Sequence, residues 1–153
     1  MLETKRICLS VTLSMFIFAG LLLNFTVLGP VYKLARKNAN NSIYVILFVN
    51  LINDVLNLLL YLGYLCPTIL LNSPIFNGGK GGDASIFIGA MFLFTWYIQS
   101  ITQIIMAVNR LIVICIYKNY VFSKRNMSLL FIFVLILSVF LAYLAQYWIP
   151  CCP

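Results

Sequence analysis

Four long stretches without charge decide which solvent this chain folds in. No Asp, Glu, Lys or Arg falls in 7–32, 84–109 or 126–153, and 38–79 holds only Asp54. An α-helix needs about 20 apolar residues to cross a bilayer, so each stretch takes one crossing and none has room for two crossings and a hairpin. Composition agrees: 63% hydrophobic, 8% charged and a mean hydropathy of +1.05 lie far from a soluble domain of 153 residues. The sequence therefore predicts an all-α integral membrane protein. It forms one domain over 1–153, a bundle of four transmembrane helices near 7–32, 42–65, 84–117 and 128–147. The first span is too long for a cleaved signal segment and carries Asn24 and Pro30 where a signal would end in small residues, so it is expected to stay.

Orientation follows from the basic residues. The connection after span one holds Lys33, Arg36 and Lys37, and the one after span three holds Lys118, Lys124 and Arg125. Between spans two and three stands Lys80, offset by Asp83. Short Lys/Arg-rich loops stay cytoplasmic, so the amino terminus is expected outside despite Lys5 and Arg6. The net charge of +7 belongs to the same pattern, split among loops that attract an anionic inner leaflet. Nothing here is laid out as a nucleic-acid surface.

Polar side chains inside the spans are ordered. Asn50, Asp54, Asn57 and Tyr61 recur at helical spacing on one face of span two. On span three, Thr95, Gln99, Thr102, Gln103, Met106 and Arg110 form a stripe flanked by Trp96 and Tyr97, and Asn24 supplies a polar group on span one. The plain reading of the amides and hydroxyls is interhelical glue, worth about 0.6 kcal/mol per bond. Asp54 differs, because an ionised carboxylate at mid-membrane costs about 2.5–3.5 kcal/mol and needs a partner, a proton or a cation. Arg110, at the far end of span three, is costly for the same reason.

Enzymatic readings find little support. The chain has no histidine and one acidic residue within its spans, which removes paired-carboxylate hydrolysis, a His-based triad and His-containing metal sites. Cys8, Cys66, Cys115, Cys151 and Cys152 lack zinc-ligand pairing. The glycine-rich run 78–83 has no Gly-Lys-Ser/Thr ending and no flanking strand, so it reads as a mobile outer loop. No metal and no enzyme activity are expected.

Asn24 in Leu-Asn-Phe-Thr-Val, Asp54 in Asn-Leu-Ile-Asn-Asp-Val-Leu and Arg110 in Ala-Val-Asn-Arg-Leu-Ile-Val resemble the marker residues of the first three helices of rhodopsin-like seven-helix receptors. With Cys66-Pro67-Thr68 and Pro150-Cys151-Cys152, the chain is most similar to nematode serpentine chemoreceptors of class x. The resemblance implies a plasma-membrane receptor that takes a small molecule or peptide from outside and couples to a heterotrimeric G protein inside. It implies ligand contacts at Thr95, Trp96 and Gln99, a coupling surface at Asn109 and Arg110, and a polar cluster of Asn24, Asn50, Asp54 and Asn57. No cofactor is implied, apart from a sodium ion beside Asp54.

The chain departs from that pattern at four places. Asn109 replaces the usual acidic residue before the arginine, Ser85 stands near the depth of the third-helix cysteine, and Trp148 lies beyond the fourth helix rather than within it. The resemblance then implies that Cys66 pairs with Cys151 or Cys152 in place of the usual bridge. The sequence also resembles only the first four helices of the fold, so residues 1–153 alone are expected to be retained in the endoplasmic reticulum. Other classes left open are a four-span channel subunit or scaffold, and a small transporter using Asp54.

Overall fold

The computed structural model describes residues 2–37, 42–73, 75–76, 82–116 and 124–148. They form helices α1 (Leu2–Lys37), α2 (Ser42–Leu60), α3 (Cys66–Leu71), α4 (Asp83–Ile116) and α5 (Lys124–Tyr147). A π-helical turn, Tyr61–Leu65, joins α2 to α3 without a break. The described residues thus contain four helices long and apolar enough to cross a membrane, the second running from Ile43 to Leu71.

That second helix runs past the expected end near residue 65, straight through Pro67. Proline has no N–H and its ring crowds the carbonyl four residues back, which normally stops a helix. Here the π turn widens the backbone just before it, with the Cys66 N–H donating to the Tyr61 carbonyl. The Thr68 hydroxyl faces the Tyr64 and Leu65 carbonyls, the latter at 2.9 Å, a side-chain bond onto the backbone of the same turn. The helix ends at Asn72, whose φ of 53° is left-handed, a conformation asparagine tolerates.

Helices pack in chain order: α1 against α2 and α3, α2 against α4, and α4 against α5. Ile17, Leu21 and Cys66 are buried together, with Leu13, Val55, Leu58 and Leu62 around them. Gly20 faces Leu58, and a Cβ there would lie 3.4 Å from Leu58 Cδ1, an ordinary contact. Ser10 Oγ donates to the Cys66 carbonyl at 3.1 Å and ties α1 to the start of α3. Large apolar side chains such as Phe16, Phe133 and Ile136 lie exposed, as expected where lipid is the solvent.

Candidate functional site

The polar residues of α2 and α4 meet at one contact. Gln99 Nε2 donates to Asp54 Oδ1 at 2.9 Å, and Asn50 Nδ2 reaches Asp54 Oδ2 at 3.4 Å. Asn57 Nδ2 donates to Gln99 Oε1 at 3.4 Å. Thr95 Oγ1 lies 3.0 Å from Asn57 Oδ1, and also 3.1 Å and 3.0 Å from the carbonyls of Met91 and Phe92. A hydroxyl has one proton, so Thr95 serves these acceptors one at a time. The outcome is a hydrogen-bonded chain of side chains, Thr95–Asn57–Gln99–Asp54–Asn50, laced across two helices.

Helical spacing explains the convergence. On α2, positions 50, 54 and 57 repeat every three or four residues, and on α4 positions 95, 99 and 102 do the same, so antiparallel neighbours present matching polar rows. A further residue was missed at the sequence level. Asn53 is buried and its Nδ2 donates to the Thr95 carbonyl at 2.9 Å. Its spacing of three from Asn50 and four from Asn57 was the available signal. Asn24, by contrast, donates to the Gly20 carbonyl of its own helix and stands apart from this chain.

The stripe read along span three divides into two faces. Thr95, Thr102 and Asn109 repeat every seven residues and are 1%, 0% and 0% exposed, so they lie on the buried face. Trp96, Gln103, Ala107 and Arg110 follow at spacings of seven, four and three on a second face that is exposed, with Trp96 at 58%. Gln103, Met106, Ala107 and Arg110 line an open hollow of about 390 Å³. Asn109 and Arg110, adjacent in sequence, therefore part: one is inside the bundle and the other on the open face. Near Trp96 the rings of Tyr61 and Phe92 lie 5.2 Å apart, joining the π turn to α4, and the Trp96 ring meets Tyr97 edge-on at 5.1 Å.

Of the cysteines, Cys66 is buried and Cys8 and Cys115 are exposed, and none of these three pairs with another of them. Cys151 and Cys152, and with them the expected disulfide, lie outside the described residues. Among the described residues no three His, Cys, Asp or Glu side chains gather as metal ligands.

Apolar helices long enough to cross a membrane, joined through half-buried polar side chains around one carboxylate, define a multi-pass helical integral membrane protein. The model of the family described as serpentine type 7TM GPCR chemoreceptor Srx matches residues 15–153, and the chain belongs to that family. Neither the curated proteins nor the solved structures offer a match to it.

Proposed function

We propose that this chain forms the ligand-sensing and G-protein-coupling wall of a chemosensory receptor in the plasma membrane, with its amino terminus outside. The observation that carries the reading is the face of α4 that is exposed at Trp96 and again from Gln103 to Arg110, with half-buried Gln99 and Ser100 between. Those ends are 14 residues apart, about 21 Å along a helix, which is most of the hydrocarbon core. A face of that length has one end near each surface of the membrane, as a receptor that senses on one side and signals on the other requires.

In this reading Trp96, with Tyr61 and Phe92 beside it, meets a small molecule or peptide arriving from outside. Thr95 and Gln99 spend their hydrogen bonds on α2 and hold the wall behind that surface rather than gripping ligand directly. At the other end the Arg110 guanidinium, exposed beside Gln103 and Met106, is the contact for a heterotrimeric G protein, and the buried Asn109 fixes the helix from behind. The basic residues Arg36 and Lys37, in the last turn of α1, then face the anionic inner leaflet.

The test is nucleotide exchange on a heterotrimeric G protein by the full chain in lipid nanodiscs, before and after Arg110→Ala. A drop of at least tenfold in exchange, with thermal unfolding unchanged, is expected. Trp96→Ala should instead shift the response to an activating ligand to higher concentration, leaving basal exchange in place. Exchange that is indifferent to Arg110→Ala would remove the coupling assignment.

A further inference from the structure

The carboxylate at the centre of the α2–α4 contact needs a hydrogen-bonding partner, a proton or a cation, and the groups beside it are amide donors. Gln99 brings the N–H end of its amide to Asp54 Oδ1 at 2.9 Å, and Asn50 brings its own N–H end toward Oδ2 at 3.4 Å. We propose that Gln99 takes the place of a cation at Asp54, so that this protein holds its intramembrane carboxylate without sodium.

A sodium ion between Asp54 and its neighbours would need oxygen lone pairs aimed at it from more than one side, since hard cations are held by oxygen. Both amides beside the carboxylate instead present hydrogens, which repel a cation and already satisfy one lone pair on each carboxylate oxygen. An amide cannot present both ends to one neighbour. The Asn50 Oδ1 atom is turned away from Asp54, buried and without a hydrogen-bond partner. The Gln99 Oε1 atom is engaged by Asn57 Nδ2 on the other side.

Orientation of the Gln99 amide is the decisive point, and its neighbours fix it. Reversing it would set Oε1 against Asp54 Oδ1, two acceptors at hydrogen-bond distance. It would also set the Gln99 nitrogen against the Asn57 nitrogen. Turning Asn57 as well relieves the second clash and leaves the first. With the Gln99 amide set by the carboxylate, its Oε1 faces Asn57 and takes the Asn57 N–H end, and Thr95 complements this by donating to Asn57 Oδ1 when its single proton is not turned to the Met91 or Phe92 carbonyl. The side chains from Thr95 to Gln99 therefore hold one polarity, with hydrogens directed at the carboxylate. A sodium ion at Asp54, the expectation raised by the family resemblance, does not fit this donor set. The inference stands on the α2–α4 contact and is independent of the ligand and coupling assignments.

The experiment is thermal unfolding of the full chain in detergent micelles, in sodium chloride and in choline chloride at matched ionic strength. The parent protein is expected to unfold within about 1 °C in the two salts, and Gln99→Glu to gain about 3 °C or more in sodium, because two facing carboxylates then require a cation. Gln99→Ala is the second variant, expected to gain sodium dependence because the carboxylate loses its closest donor. A parent protein stabilised by sodium, with the response abolished by Asp54→Asn, would overturn the proposal. Variants at Gln99 as indifferent to sodium as the parent would show that Gln99 is not what keeps the cation out.

Discussion

Asp54 is the only acidic residue in the apolar part of the chain, and its place there rests on Asn50 and Gln99, which bond it, and on Asn57, which bonds Gln99. Asp54→Asn is expected to keep the fold. Gln99 can still donate to the amide oxygen, and Asn50, whose Oδ1 has no partner, can turn to accept from the new N–H. Thermal unfolding equal to or above that of the parent, with altered basal signalling, is the outcome that would bear this out. Asn53→Ala should lower stability by about 0.6–1.7 kcal/mol, the span measured for interhelical bonds in membranes, because the Thr95 carbonyl loses its partner from α2. An Asn53→Ala protein that unfolds like the parent would make that bond incidental.

At the scale of the helices, Gly20 of α1 lies against Leu58 of α2. Gly20→Ala should be tolerated, since its Cβ would make ordinary contact with Leu58 Cδ1 at 3.4 Å. Gly20→Leu should cost about 1–3 kcal/mol by forcing α1 off α2, measurable as a lowered unfolding midpoint. How much of this the sequence carried depends on range. Long uncharged runs made the four crossings legible, because hydrophobic length is a local property. Asn50, Asp54, Asn57, Thr95 and Gln99 were legible as polar rows, since their spacing is local as well. That Thr95 and Gln99 bind α2 while Trp96 lies open was not, because it depends on the rotation of α4 against its neighbours, which no single helix encodes. The helix running on through Pro67 was missed for a similar reason: a proline reads as a stop until the wider turn before it is seen to accommodate it.

For the whole molecule the orientation is the quantity most in need of a measurement. Sequons stand at Asn24, inside α1, at Asn40, outside the described residues, and at Asn126, in the first turn of α5. With the amino terminus outside, Asn24 lies within the bilayer and the other two face the cytoplasm, so no N-glycan is expected. A glycosidase-sensitive mobility shift that disappears on Asn126→Gln would invert the topology and the functional assignment with it. Residues 1–153 expressed alone should insert four times and stay largely in the endoplasmic reticulum, since Gln103 and Arg110 on the open face of α4 seek other partners. Efficient surface delivery of that chain by itself would contradict this. Non-reducing peptide mapping decides whether Cys66 pairs with Cys151 or Cys152; recovery of all three as free thiols would end the disulfide expectation.

Packing in chain order also has a consequence for how the protein is made. A ribosome releases α1 first, then α2, which finds α1 already in the bilayer, then α4, which finds α2, and so on. No helix has to wait for a distant partner, with one exception at the level of side chains. Asp54 enters the membrane with α2, ahead of its closest donor, Gln99, which lies 45 residues later in the chain. During that interval Asn50, on the same helix, is the one amide that reaches the carboxylate. The second helix therefore depends on the third for its own settled place in the membrane, and a pause in translation between them would expose that dependence as slippage or early degradation.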